Sequence, residues 1–257
     1  FWLKLFQDIR LGRTGLQQRG QPQQQDMAWT STGGEPVPSA HDDVGEDGMP
    51  SHVAEEFNPT KSIAILLVMM TIPRLIGLGI AFLIWHVGDT ASYQRKVDVL
   101  AANSLSYLYF AVFVFSLTVS WLNSFPTFYK GKVMKMNSGN LRANMLVYKV
   151  NHPDRNVKSP VVVLEEEGGI GQYNRANRSL HHFTENSIST GLLFLLVGYV
   201  FPFPTFILML VFCLGRVVHQ LGYAEGGYGK HAPGFVLALF SNLTMEMLLV
   251  IAACKSA

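Results

Sequence analysis

Five long apolar runs constrain what this chain can fold into more than any other feature. They extend over about Ser62 to Val87, Leu100 to Phe125, Leu180 to Phe201, Pro204 to Leu221 and Gly234 to Ala253. A helix needs roughly 20 residues to cross the apolar core of a bilayer, and it satisfies its backbone hydrogen bonds internally. The composition agrees, because 49% of the residues are hydrophobic and only 15% are charged. The sequence therefore predicts an all-α integral membrane protein.

The positions of these runs divide the chain into three parts. Residues 1–61 are a polar extension that we expect to be largely flexible, because it lacks any sustained hydrophobic period. Its first residues, Phe1 to Arg13, have the pattern of a short amphipathic helix, which fits an interfacial anchor, the end of a targeting segment or an ordinary surface helix. Residues 62–87 form one transmembrane helix, and residues 98–257 form a four-helix membrane domain with a long loop at 126–179.

The connections between the runs predict how the helices are arranged. Only Pro202-Phe203-Pro204 separates the third run from the fourth, so these helices are antiparallel neighbours. The loop at 126–179 is rich in lysine and arginine, which indicates that it faces the cytosol, or the matrix or stroma of an organelle. With five spans, the N-terminal extension lies on the same side and the C-terminus on the other. Within the loop, Met145 to Val150 and Val161 to Leu164 predict a small β-hairpin over the helix ends.

Ionisable residues cluster where the third run begins and where the fourth run ends. The first cluster contains Arg175, Arg178, His181, His182 and Glu185, and the second contains Arg216, His219 and Tyr223. Ionisable groups are costly inside a membrane and usually mark a site. Residues three, four or seven positions apart share one face of a helix. Because the two helices are antiparallel, both clusters lie on one side of the membrane and can form a single polar pocket.

The residue types in this pocket suit a small ligand with several charges. Guanidinium groups bind carboxylates, Glu185 can bind an ammonium group, and a tyrosine hydroxyl can donate to a thiolate and lower its pKa. Glutathione combines these groups. The alternative is that the residues form structural pairs between helices. A metal site is not favoured, because adjacent histidines diverge on a helix and no cysteine supports them. The net charge of +2, without a basic stripe, argues against nucleic-acid binding.

The fourth run ends in a sequence with a family resemblance. Gly215 to Tyr223, GRVVHQLGY, resembles the third-helix signature of the MAPEG family, the membrane-associated proteins in eicosanoid and glutathione metabolism. That family includes microsomal glutathione transferases and prostaglandin E synthase. Upstream, the spacing of the pattern that opens the family's preceding helix is kept by Arg175, Arg178 and Glu185. Downstream, a loop similar to the family's last connection contains Gly222, Tyr223, Gly226, Lys230 and Gly234.

The resemblance covers about Leu100 to Ala253 and implies a MAPEG-type four-helix bundle, here with one additional N-terminal transmembrane helix. It implies a homotrimer that binds glutathione as co-substrate between helices of neighbouring subunits, in the endoplasmic reticulum membrane or alternatively a mitochondrial or plastid membrane. Lys130 or Lys132 would replace a basic residue at the end of the family's first helix. The residues implied for glutathione binding are Arg175, Arg178, His182, Glu185, Arg216, His219 and Tyr223, and those implied for catalysis are Arg216, Tyr223 and His231.

Several positions depart from the family pattern. Ser179 and Leu180 stand where alanine and histidine are usual, and His182 occupies the usual asparagine position. The thiolate-activating arginine at the start of the last helix has no clear equivalent, and His231 is only a partial substitute because a neutral imidazole offers one donor and no permanent charge.

Two functions from different classes therefore remain. One is a glutathione transferase or peroxidase that acts on lipophilic electrophiles or lipid hydroperoxides from the bilayer. The other is a catalytically reduced relative that serves as an accessory or structural subunit of a large organellar membrane complex. The additional helix, the long extension and the altered motif favour the second.

Overall fold

The computed structural model describes residues 58–133, 146–151 and 161–257. The predicted amphipathic start at Phe1 to Arg13 lies outside these residues. The described elements are helices α1 (Pro59–Val87), α2 (Thr90–Ala102), α3 (Ser106–Ser124) and α4 (Pro126–Val133), strands β1 (Tyr148–Asn151) and β2 (Val161–Leu164), and helices α5 (Gly168–Val200), α6 (Pro202–Gly226) and α7 (Ala232–Ser256).

Five stretches of helix are long and apolar enough to cross a membrane: α1, α3 continued through α4 to Gly131, α5, α6 and α7. The prediction of five spans in an integral membrane protein is confirmed. Two boundaries differ from the sequence prediction. The second span begins at Ser106 rather than Leu100, because a turn with Ser104 at φ 56° ends α2 first. The third begins at Gly168 rather than Leu180, because its polar first turns are helical too.

Caps and prolines explain where several helices begin. The Asn58 side chain accepts a hydrogen bond from the Lys61 N–H at 3.0 Å, and Asp89 caps α2 in the same way. Proline stands at the first position of α4 and of α6, where its missing N–H costs nothing. Only Phe201 lies between α5 and α6, and the two helices pack together. The predicted tight turn is confirmed.

Helices α3, α5, α6 and α7 pack around one apolar core, with α6 in contact with the other three. Lipid tails are as apolar as leucine, so the helices associate mainly through close packing. The closest approach involves Gly234 in α7. A Cβ atom added there would lie 2.2 Å from the His219 backbone nitrogen and 2.5 Å from the Gly215 carbonyl oxygen. Buried residues of this core include Ala111, Leu122, Phe183, Phe194, Val197, Met209, Phe212 and Met245.

A second apolar cluster joins α4 to the loop-side ends of α5 and α6, and polar contacts hold it in place. Pro126 has no N–H to donate to the Leu122 carbonyl, so that carbonyl lacks its usual helical partner. The buried Gln220 side chain donates to it instead, at 2.9 Å, and so ties α6 to α3. Nearby, the buried Tyr129 hydroxyl donates to the Glu225 carboxylate. These contacts hold α6 against α3 and α4 just beyond the site.

Strands β1 and β2 form an antiparallel hairpin, as predicted. The Asn174 side chain in α5 accepts from the Val147 N–H at 2.8 Å and donates to the Val147 and Glu165 carbonyls at 2.7 Å each. The hairpin therefore lies against the start of α5. Lys149 and Glu165 form an ion pair at 3.0 Å. Burial alone would raise the pKa of the Glu165 carboxyl, but the Glu167 N–H and the Lys149 ammonium lower it below its ordinary value.

Helix α1 lies at the periphery of the bundle. It contacts α2, α3 and α4, and its buried residues are Ser62 and Leu66. Most of its large apolar side chains face away from the rest of the chain, with exposed fractions of 47–77%. Such a surface is suited to lipid or to another membrane helix.

Candidate functional site

A cavity of about 400 Å³ opens at the end of the bundle that carries the hairpin. This is the side on which the sequence predicts both ionisable clusters, and the antiparallel pair α5 and α6 brings the clusters together. The cavity is lined by Leu146, Arg178, Ser179, His181, His182, Glu185, His219, Tyr223, Tyr228, His231 and Phe235.

Direct polar contacts join the two clusters across the helix pair. The Ser179 hydroxyl lies 2.9 Å from Nδ1 of His219. Nη1 of Arg216 donates to Nδ1 of His182 at 3.2 Å, and Nη2 donates to the Ser179 carbonyl at 3.3 Å. A guanidinium group can only donate, so Nδ1 of His182 is the acceptor and its ring proton resides on Nε2. This network fixes the side chains on the two helices relative to each other.

Arg216 is the most unusual residue of the site. Its side chain is only 4% exposed, and its guanidinium carbon lies 5.3 Å from the centre of the Phe183 ring. Its Nε atom is buried without a hydrogen-bond partner, and none of the described carboxylates forms an ion pair with it. A buried cation without an anion is strongly unfavourable. The arrangement therefore indicates a place for an anionic ligand group.

His231 lies at the centre of the aromatic side of the cavity, immediately before α7. Its ring centre is 5.2 Å from that of His219, 5.3 Å from that of Tyr223 and 5.3 Å from that of Tyr228. Its Nδ1 atom is buried and unpartnered. His231 therefore lies against His219 and Tyr223 immediately before α7, near the position at which the family resemblance leads us to expect an arginine.

Three described residues from the sequence prediction do not line this cavity: Arg216 lines only the adjoining cavity described below, and Arg175 and Lys130 line neither. Nε of Arg175 donates to the carbonyls of Tyr223 and Ala224 at 3.1 Å each, and Nη1 donates to the Glu166 carbonyl at 2.6 Å. Arg175 therefore holds the end of α6 that carries Tyr223. Lys130 lies in α4, away from the lining residues, and the side chain of Lys132 is outside the described part of the chain.

A second cavity, of about 270 Å³, continues from the first between α5, α6 and α7. The two share His182 and Phe235, and Arg216 lines the second. Its other lining residues are Phe183, Asn186, Ser189, Thr190, Phe212, Ala238, Leu239 and Asn242.

Sequence reasoning missed this cavity and also missed Tyr228. A signal for the cavity exists, because His182, Asn186 and Ser189 recur at helical spacing through an apolar span. Tyr228 is 93% exposed and reaches the site through the conformation of its loop, for which the sequence has no comparable signal.

The model of the MAPEG family matches residues 133–252. Over these residues the chain belongs to the MAPEG family. Searches of curated proteins and of solved structures gave no match. The matched MAPEG region contains both ionisable clusters and the three helices around the cavity, and it confirms the all-α MAPEG-type membrane bundle that the sequence predicts. It begins at Val133, the last residue of α4, rather than near Leu100, so helices α1, α2 and α3 and nearly all of α4 precede it.

Proposed function

We propose that the cavity binds glutathione and that the protein is a membrane glutathione transferase or peroxidase acting on lipophilic electrophiles or lipid hydroperoxides. The family membership supports a glutathione-related role in a membrane. The observation that carries the proposal is Arg216, a buried guanidinium without a carboxylate partner among the described residues, beside two linked cavities. We place the protein in the endoplasmic reticulum membrane by the same resemblance.

The groups around the cavity fit those of glutathione. The tripeptide carries two carboxylates, one ammonium group and one thiol. Arg178 and Glu185 line the cavity, and neither forms an ion pair within the described residues. We assign a carboxylate of the ligand to Arg178 and its ammonium group to Glu185. The cavity volume of about 400 Å³ lies in the range of roughly 300–1,000 Å³ that is typical of small-molecule sites.

The remaining polar groups suit the sulfur atom of the ligand. Glutathione supplies a nucleophile, which is effective as the thiolate. A positive charge on Arg216 and a hydrogen bond from the Tyr223 hydroxyl both favour the thiolate. We assign to the imidazole of His231, which lines the cavity, the proton that leaves the thiol and returns to the leaving group. The protein's part in the reaction is thus to orient the thiol, lower its pKa and exchange one proton.

The second cavity offers a position for the lipophilic co-substrate. Phe183, Phe212, Phe235 and Leu239 line it, and it shares a wall with the first cavity. A substrate held there is next to the proposed position of the thiol, which supplies the proximity that such reactions need. In conjugation, a bond forms between sulfur and an electrophilic carbon while the bond to the leaving group breaks. In hydroperoxide reduction, sulfur takes the terminal oxygen, the O–O bond breaks, and the alkoxide takes the proton.

The second candidate, a catalytically reduced accessory or structural subunit of an organellar membrane complex, also has an observation in its favour. His231, and not a permanently charged arginine, precedes α7, so in this proposal stabilisation of a thiolate rests largely on Arg216 and Tyr223. The additional helix α1 exposes most of its apolar surface. In this candidate the cavity binds its ligand without turnover, in a mitochondrial or plastid membrane.

The affinity of the full chain for glutathione tests the proposal. We would measure it by calorimetry in lipid nanodiscs for the wild type, for Arg216→Met and for Arg95→Met. Methionine removes the charge but keeps much of the length. Loss of a buried charged contact costs about 2–5 kcal/mol, so we expect Arg216→Met to weaken binding at least thirtyfold, or roughly 2 kcal/mol. Arg95 is exposed on α2 and serves as the matched control.

Turnover assays with a generic electrophile and with a lipid hydroperoxide separate the two candidates. Turnover that falls with Arg216→Met and Tyr223→Phe supports the enzyme. Binding without turnover supports the accessory subunit. If the wild-type protein does not bind glutathione at all, the proposed ligand is wrong.

A further inference from the structure

Arg74 lies near the middle of the peripheral span α1. Lys61 and Trp85 are the interface-type residues at the two ends of the apolar part of this helix. At 1.5 Å per residue, Arg74 is about 20 Å from Lys61 and about 16 Å from Trp85 along the axis. Its side chain is too short to bring the charge into either headgroup region. A cation at this depth needs a partner within the membrane.

The chain itself supplies little compensation for this charge. Among the described residues, the polar contact of the Arg74 guanidinium is with the Met70 carbonyl of its own helix, and no carboxylate forms an ion pair with it. A guanidinium has five N–H donors, so most remain available. Gly77 and Ala81 follow on the same face of α1, and a Cβ atom added to Gly77 would meet nothing within 4 Å. This face is open to a neighbouring helix.

A carboxylate without a cation lies in another span, at Glu246 of α7. At 1.5 Å per residue, Glu246 is about 21 Å from Ala232 and about 15 Å from Ser256, the two ends of α7. It is half-buried, and it accepts a hydrogen bond from Asn242 at 2.9 Å, while Asn242 accepts one from Thr190 at 3.2 Å. In the described part of the chain no cation contacts it. One turn to either side, Leu243 and Val250 are 41% and 51% exposed, so Glu246 borders an open apolar face.

We propose that Arg74 of one copy pairs with Glu246 of a second copy, and that the open face of α1 and the open face of α7 form an interface between copies. Within one chain, α1 packs against α2, α3 and α4, whereas α7 packs against α5 and α6. Both charges lie near the middle of a span, have opposite sign and border exposed surface. Copies of one protein insert in the same orientation, so α1 and α7 of two copies run in the same direction. The inference is independent of the proposed function.

Charge reversal tests the pairing in the full chain, reconstituted in lipid nanodiscs or gentle detergent, with native mass spectrometry as the readout. Breaking a buried charge pair while leaving one charge unpaired is strongly unfavourable, so we expect Arg74→Glu and Glu246→Arg each to weaken self-association at least about tenfold. The double variant restores the opposite charges and should return to within about threefold of wild type. Lys61→Glu, at the end of α1, is the matched control and should leave association unchanged.

Cysteine cross-linking is a second test that does not require the reversed charges to be tolerated. Arg74→Cys and Glu246→Cys are placed in separate, differently tagged copies that also carry Cys254→Ser, because Cys254 is exposed. Oxidation should form a disulfide that joins the two differently tagged copies. When Val87→Cys replaces Arg74→Cys as the partner of Glu246→Cys, oxidation should not join the copies.

Three results would overturn the pairing. The first is self-association that no single reversal changes, or that the double reversal fails to restore. The second is a wild-type chain that is monomeric and assembles only with a different protein, which would assign α1 to a foreign helix. The third is an effect of Arg74→Glu that depends on anionic phospholipid while Glu246→Arg has none, which would assign Arg74 to a lipid phosphate.

Discussion

Helix α1 and the helix pair α6–α7 are built from similar residues but have opposite surroundings. Each contains glycines and an arginine within an apolar span. In α6 and α7, glycine allows two backbones to touch, and Arg216 is buried in a network with α5. In α1, Gly77 faces open space, and the Arg74 side chain binds a carbonyl of its own helix. The same residue types thus form a site in one region and an open surface in the other, because only the first region has close neighbours.

The largest expected difference between the two regions is in the change of stability when a glycine is replaced by alanine, once in α7 and once in α1. Gly234→Ala places a Cβ atom against backbone atoms of α6, which cannot move aside as a side chain can. We expect a loss of stability of about 3 kcal/mol or more. Gly77→Ala meets nothing within 4 Å, and its helix propensity favours alanine by up to about 1 kcal/mol. Thermal unfolding in detergent measures both, and similar effects at the two sites would contradict the contrast.

A pair of tyrosines gives the next contrast, between the bundle interior and its apolar surface. Tyr129 is fully buried and donates to Glu225, whereas Tyr109 is 60% exposed. Tyr129→Phe leaves the Glu225 carboxylate with one fewer donor, and we expect a cost of about 1–3 kcal/mol. Tyr109→Phe should change the free energy of unfolding by less than about 0.5 kcal/mol. Equal values would show that the α4–α6 contact contributes nothing to stability.

Two buried serines sharpen the comparison at the level of the site. The Ser179 hydroxyl orients His219, whereas the Ser62 hydroxyl in α1 makes no hydrogen bond within the described residues. Ser179→Ala should cost about 1 kcal/mol and weaken glutathione binding about fivefold if His219 contacts the ligand. Ser62→Ala should change neither quantity. Thermal unfolding measures the stability of the two variants, and calorimetry measures their affinity for glutathione. If Ser179→Ala changes neither quantity, Ser179 does not contribute to the site.

The smallest expected effect lies outside the membrane, at the hairpin. Because the pKa of Glu165 is lowered in the folded protein, its ionised form stabilises the hairpin above the ordinary carboxyl pKa of about 4.5. That contribution is lost as the pH falls through the lower, folded pKa. We expect hydrogen exchange at the Val147 and Glu167 amides to report faster local opening in acid. Glu165→Gln should remove this pH dependence, and its persistence would point to another group.

Much of the site could be anticipated from spacing alone. Helical periodicity and the prolines near Phe203 place His182 and Arg216 on facing sides of an antiparallel pair, and these two side chains contact each other. Spacing did not predict that the Ser179 hydroxyl would bind His219. Spacing could not reveal that Arg175 turns towards the end of α6. The position of Arg175 on α5 would also allow its side chain to enter the cavity. The side chain binds the carbonyls of Tyr223 and Ala224 instead, and these carbonyls come within its reach only once α5 and α6 have packed together.

The sequence by itself determined the five spans, the antiparallel turn, the hairpin and the residue types of the site. These features depend on hydropathy, on proline and on local spacing, and all three are set by residues that are close together in the sequence. Only the tertiary structure decided which arginine is buried, that Gly234 is a contact between backbones, and that a second cavity adjoins the first. These properties arise between residues far apart in the chain, and the free energy of a buried charge or a helix contact depends on what lies opposite.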